Sequence, residues 1–86
     1  MDDGNKRPPS GEEIIEESRR IRRLRIVVQL ALSVIAQGQI PFEEAQELTA
    51  ATKRVALTLF PGKGATYDLI YLPKFQRLLT KVYRLQ

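Results

Sequence analysis

The spacing of apolar residues predicts a long helix in the first half of the chain. Apolar residues between positions 14 and 36 recur mainly at intervals of three and four, and no proline or glycine occurs at 12–37. This is the periodicity of an α-helix that buries one face. Ser10 and Glu13 have the spacing of a capping box, and Gly38 suits the left-handed residue that ends a helix. The pattern therefore predicts a first helix at 11–37.

The two halves of this helix differ in apolar content. Residues 26–36 are apolar nearly all round, as expected of a central core helix, whereas the first half carries few apolar residues. At 1.5 Å per residue the helix is about 40 Å long, whereas a compact chain of this length is roughly 30 Å across. We therefore expect the N-terminal half of the helix to project from the domain.

A second helix is predicted at 42–60. Pro41 precedes it, and Glu43 and Glu44 lie near its positive end, where the helix dipole favours acids. Its expected buried stripe consists of Ala45, Leu48, Thr52, Val55 and Leu59. Because only a few residues connect the two helices, we expect them to form an antiparallel hairpin.

Two shorter helices are predicted in the last third, at 66–71 and 73–85. Thr66 can cap the first of them, and Pro73 is expected to separate the two because it pushes Leu72 out of helical geometry. A strand at 67–72 is the alternative, since β-branched and aromatic residues are enriched there, but it has no evident partner strand.

The chain is therefore predicted to be all-α, with three to four helices in a single domain at 10–86. The long first helix pairs with the second, and the short C-terminal helices pack against them. Residues 1–9 are polar, contain two prolines and show no periodicity, so they are expected to be a disordered leader.

Composition narrows the classes of function. The chain has no cysteine and no histidine, which removes thiolate chemistry and imidazole metal ligands. The remaining candidate carboxylates, Glu43, Glu44, Glu47 and Asp68, have the positions of first-turn helix acids, and the glycines around Lys63 lack the spacing of a phosphate-binding Walker loop. The longest apolar run is shorter than the roughly 20 residues of a membrane span. We expect a cytoplasmic, non-catalytic protein without cofactor or metal.

Five arginines within seven residues adjoin the apolar half of the first helix. They are Arg19, Arg20, Arg22, Arg23 and Arg25. Arginine in place of lysine favours a planar carboxylate or phosphate partner, although a solvated helix surface is an equally valid interpretation. Glutamates just before the cluster nearly cancel its charge. The excess of cations lies at 61–86, where a stripe is formed by Lys74, Arg77, Lys81 and Arg84.

These patterns lead to two functional hypotheses. The first is a small protein-interaction module, homodimeric or bound to an acidic protein surface, that uses the projecting half of the first helix. In it Ile14, Ile21 and Leu24 supply apolar contact, and the five arginines supply charge complementarity. The alternative is a nucleic-acid-binding module that contacts phosphates through the arginine cluster and the C-terminal stripe.

Overall fold

The computed structural model describes residues 10–84, which form four α-helices. Their bounds are α1 Gly11–Gln37, α2 Phe42–Leu59, α3 Gly64–Ile70 and α4 Leu72–Tyr83. No strand occurs in this part of the chain, so the all-α prediction is confirmed and the alternative strand at 67–72 is wrong. The predicted leader at 1–9 lies outside the described residues, as do the last two residues.

Local signals define both ends of α1. The Ser10 hydroxyl accepts a hydrogen bond from the Glu13 backbone N–H at 3.1 Å, and the Glu13 carboxylate accepts one from the Ser10 N–H at 2.8 Å. At the other end Gly38 adopts φ +67°, and its N–H donates to the Ile35 carbonyl at 3.0 Å. The predicted capping box and the glycine terminator are both confirmed, because each depends only on residues three or four apart.

The boundary between α3 and α4 differs from the prediction. α3 begins at Gly64, so Thr66 lies inside the helix and does not cap it. Leu72 starts α4 and Pro73 lies in its first turn, so the expected exclusion of Leu72 from the helix is wrong. A proline there is tolerated because the first-turn N–H groups have no intrahelical acceptor. Tyr71 alone links the two helices, and its N–H donates to the Tyr67 carbonyl at 2.8 Å.

The buried stripe of α2 is rotated from the predicted one. Ala45 and Thr52 are buried as expected, but Ala56 takes the place of Val55, which is exposed. The Thr52 hydroxyl donates to the Leu48 carbonyl at 2.8 Å, so this buried polar group is satisfied. The buried side chains of α2 are thus two alanines and one threonine, all of them small.

The core is small and lies where all four helices meet. Phe75 of α4 and Ile35 of α1 are fully buried at its centre. The other buried apolar residues are Leu24, Val28, Ala31, Ala45, Ala56, Tyr67 and Leu79. At the end near the α1–α2 connection, the Tyr83 hydroxyl donates to the Ile40 carbonyl at 2.7 Å, and the Tyr83 ring packs edge-on against Phe42. These contacts hold the C-terminal end of α4 beside the start of α2.

The molecule is elongated. Its principal extents are 53 × 23 × 16 Å and its radius of gyration is 16.4 Å, compared with about 12 Å for a compact chain of this length. Residues 11–19 of α1 are exposed on every side, and the first buried residue of this helix is Leu24. The shortest dimension leaves room for about two layers of helix.

Candidate interaction surfaces

The five arginines do not form one surface. Arg20 lies over the Phe60 ring, with its guanidinium carbon 5.7 Å from the ring centroid, and its Nη2 donates to the Glu17 carboxylate at 3.2 Å. A cation over an aromatic face is an attractive contact. Arg20 therefore links α1 to the end of α2, although its side chain is still 37% exposed.

The other four arginines divide between two concavities. Arg19, Arg22 and Arg23 line a shallow concavity of about 250 Å³ together with Ile26 and Val27. Arg25 instead lines a separate cavity of about 390 Å³ between α1, α2 and α3, which it shares with Lys63 and Tyr71. Within residues 10–84 no carboxylate oxygen lies within 4.0 Å of these four guanidinium groups.

The three apolar residues predicted to contact a partner also lie in different environments. Leu24 is only 9% exposed and belongs to the core, so its assignment to a partner surface needs correction. Ile21 lines the cavity beside Leu24 and Phe60, and faces its own domain. Ile14 lies in the exposed first turns of α1. The structure therefore leaves one of the three predicted apolar contacts clearly free of the domain.

A different apolar row on α1 was not predicted as a surface. Ile26, Leu30 and Val34 recur every four residues, and Leu30 is 62% exposed. The sequence suggested that this segment is buried nearly all round. It is not, because the other helices of residues 10–84 cover only the side of α1 that carries Val28 and Ile35. This segment has more apolar residues than three shorter helices can cover. That excess in the sequence could have predicted an exposed apolar row.

The position of α4 explains why this row is uncovered. On one side, Lys74 and Leu78 of α4 border Gln29 and Ser33 of α1 along a groove of about 330 Å³. On its other side, Gln76 and Thr80 of α4 border α2 at Gln46 and Thr49. α4 therefore covers one face of the α1 and α2 pair, and the other face has no helix over it among the described residues.

The C-terminal basic stripe is exposed as predicted. Lys74, Arg77 and Lys81 are exposed on α4, and the exposed Arg84 follows the end of the helix in a left-handed conformation with φ +54°. Lys74 is at the edge that faces α1. The stripe therefore begins beside α1. Whether it forms one surface with an arginine of α1 depends on the side of α1 from which that arginine projects.

Tyr67 is the titratable group with the most perturbed environment. It is 4% exposed, and its hydroxyl has no hydrogen-bond partner within residues 10–84. Burial, followed by the neighbouring charge of Asp68 and the proximity of Tyr71, raises the pKa of Tyr67 to about 12. A phenol with a raised pKa stays protonated at neutral pH, so Tyr67 is not activated as a general base.

The described residues were also compared with the requirements of metal and membrane sites. Residues 10–84 contain no group of three or more carboxylates that could hold a metal ion. None of the four helices combines the length and apolarity needed to cross a bilayer. Comparison of the whole chain with protein families, with curated proteins and with solved structures yields no match. Any functional proposal must therefore be based on the surface residues of the molecule.

Proposed function

We propose that the protein is a small, non-catalytic protein-interaction module that forms a homodimer. The observation that carries this proposal is the exposed row Ile26, Leu30 and Val34 on α1. Exposed apolar side chains in a contiguous row are typical of protein-interaction sites, whereas single exposed ones are common on any surface. The proposed interface thus lies further along α1 than its projecting first turns.

The row on α1 continues onto α2 if these helices run antiparallel. Two observations support that arrangement: only residues 38–41 connect them, and Arg20 contacts Phe60 at the far end of α2. Helical spacing then places Val55 on the same face as Leu30, away from α4. We define the outer face as Ile26, Leu30, Val34 and Val55, with the partly buried Leu48 and Ala51 between them.

Charges at the two ends of the outer face are of opposite sign. Arg23 precedes Ile26 on the same side of α1 and lines a concavity with it. Glu44 lies on α2 one turn before Leu48, level with the last turn of α1 in an antiparallel pair. Glu47 is nearby but already accepts a hydrogen bond from Arg54 at 2.8 Å. The face is thus basic at one end and acidic at the other.

This gradient suits a two-fold dimer with antiparallel α1 helices. With Leu30 on the axis, Ile26 meets Val34 of the second copy, because both lie four residues from Leu30. The same rotation brings Arg23 close to Glu44 of the second copy. An isologous interface of this kind needs only one self-complementary patch, with apolar contact at its centre and charge pairs at its rim.

The small core also favours association. Nine apolar side chains are buried in the described part of the monomer, and nine large ones are exposed. Domains below about 80 residues seldom gain much stability from a single core, and oligomerisation is one of the usual remedies. Covering the outer face would make a four-helix arrangement from two α1 and α2 pairs.

A charge-reversal experiment tests the proposed pairing. Arg23→Glu alone places acid against acid in the dimer, and Glu44→Arg alone places base against base, so each variant should dissociate more readily than the wild type. An equimolar mixture of the two variants should restore dimers, because both contacts in the mixed pair are again opposite in charge. Sedimentation velocity at several concentrations measures all three samples.

The control variant is Arg77→Glu, which makes the same charge change on α4, away from the outer face. Its dimerisation should match that of the wild type. The homodimer is refuted if the wild-type protein stays monomeric when its concentration is raised 100-fold above that of the other sedimentation samples. Dimers that persist in both single variants would place the interface elsewhere, for example on the exposed first turns around Ile14.

A further inference from the structure

A second surface, on the side of α1 that adjoins α4, concentrates positive charge without carboxylates. On α1 it consists of Ser18, Arg22, Arg25, Gln29 and Ser33, which follow one another at intervals of three or four. Gln29 and Ser33 border Lys74 of α4 across the groove. The arginines are thus the N-terminal continuation of the row that faces α4.

The basic track is defined as Arg22 and Arg25 of α1, with Lys74, Arg77 and Lys81 of α4 and Arg84 just after it. All six are exposed. The two rows that form the track contain no aspartate or glutamate.

Acidic residues of α1 lie to the side of this track. Glu16 is six positions before Arg22, which at about 100° per residue puts the two side chains roughly 120° apart around the helix. Glu17 lines the same cavity as Arg25, and its carboxylate accepts a hydrogen bond from Arg20. Lys63 in that cavity adds a further cation. The glutamates before the arginine cluster therefore do not neutralise the track.

The length of the track suits a nucleic-acid backbone. Val82 of α4 lies beside Gly38, so Lys81 is about level with the end of α1. From Arg22 to that level is roughly 24 Å at 1.5 Å per residue. Duplex DNA presents a phosphate every 3.4 Å of axis on each strand, so the track spans about seven phosphates.

The track lacks features that would recognise bases. Proteins that hold single strands stack bases on exposed aromatic rings. Here Phe75 and Tyr67 are buried, and Tyr71 packs on Tyr67 with ring centroids 5.3 Å apart. Arginine and lysine on a helix surface contact phosphates without reading sequence. The available chemistry is backbone contact alone.

From this charge segregation we infer that the basic track binds the phosphodiester backbone of duplex nucleic acid without sequence preference. Arg22 lines a concavity with Ile26 and so borders the outer face, whereas Lys74 lies beside Gln29 and Ser33 on the α4 side of α1. The cations of α4 therefore do not depend on the homodimer. A dimer would carry two such tracks and a monomer one.

Fluorescence anisotropy with a labelled 20-base-pair DNA duplex, measured from 50 to 300 mM KCl, tests the inference. The logarithm of the association constant should fall linearly with the logarithm of salt concentration, by about 0.9 for each phosphate contact. Lys74→Ala/Arg77→Ala removes two contacts, so the slope should become shallower by about 1.8. At 0.1 M salt the affinity should fall about 60-fold by the same relation.

The matched control is Arg19→Ala/Arg54→Ala, which removes two exposed cations outside the track. Its affinity should stay within about threefold of the wild type, and Lys74→Arg/Arg77→Lys should bind as the wild type does. An equal loss in the control would mean that net charge alone attracts DNA and would overturn the assignment to the track. Absence of binding by the wild type at 50 mM KCl would overturn the inference outright.

Two further measurements separate the partner classes and the two proposals. Poly-glutamate that competes as well as duplex DNA at equal charge would assign the track to acidic proteins and refute a nucleic-acid partner. Tighter binding to a single strand of equal length would refute the duplex. The Leu30→Ala variant should retain the wild-type salt dependence of DNA binding per bound monomer even when its dimer dissociates. The homodimer and the DNA-binding track can therefore be tested separately.

Discussion

Truncation of Leu30 tests the outer face most directly. This side chain lies at the proposed two-fold axis and is 62% exposed in the monomer. Full burial of a leucine side chain contributes about 1.5–3 kcal/mol, so covering its exposed part is worth about 1–2 kcal/mol per copy. Alanine keeps one methyl group of this contact. Leu30→Ala should therefore weaken association by about 1 kcal/mol per copy.

A symmetric dimer contains the substitution twice. The expected loss is then about 2 kcal/mol per dimer, which corresponds to a roughly 30-fold higher dissociation constant. The fold of the monomer should be little affected, because Leu30 is largely exposed and alanine has the higher helix propensity. Sedimentation equilibrium gives the dissociation constant, and circular dichroism with denaturant checks the monomer.

Leu69→Ala is the matched control for Leu30→Ala. Leu69 is 79% exposed and lies on α3, away from the outer face. Its truncation removes the same atoms and should leave the dissociation constant unchanged. If Leu30→Ala changes the constant by less than threefold, or if both variants weaken association equally, the outer face is not the dimer interface.

Two further predictions concern the stability of the fold. Gly38→Ala should destabilise it by about 1–2 kcal/mol in urea denaturation, because φ is +67° and the new Cβ would lie 3.3 Å from Val82; Gly11→Ala, in open space, should not. Because the pKa of Tyr67 is raised to about 12, its stabilising contribution is complete below pH 10 and should decline by about 2–3 kcal/mol as the pH rises to 12. Tyr67→Phe should flatten that decline in pH-dependent denaturation and leave stability at pH 7 equal or higher; an unchanged decline would contradict the assignment.

The sequence predicts well those features that depend on residues close together in the chain. The capping box at Ser10, the terminator Gly38 and the exposed basic stripe of α4 all follow from spacings of three or four residues. The capping and terminating hydrogen bonds are set within one turn of helix, so no knowledge of the other helices is required. Helical periodicity likewise places Lys74, Arg77 and Lys81 in one row of α4.

The sequence is less informative about which side of each helix is covered. α2 buries Ala56 where Val55 was expected, because its rotation is set by the helices that pack on it. The joint at Pro73 differs from the prediction for a local reason: a proline is tolerated in the first turn of a helix, so Leu72 can start α4. Hydrophobicity alone does not distinguish neighbouring residues on an apolar side.

The sequence by itself determined that this chain is helical, where its first helix begins and ends, and that cations outnumber acids in its last third. Tertiary structure decided how those residues are shared among surfaces. It assigned Leu24 to the core, Arg20 to Phe60, Leu30 to an uncovered face and Arg25 to the cavity between α1, α2 and α3. The physical reason is that a helix displays residues in all directions, and only the position of its neighbours determines which of them remain in contact with solvent.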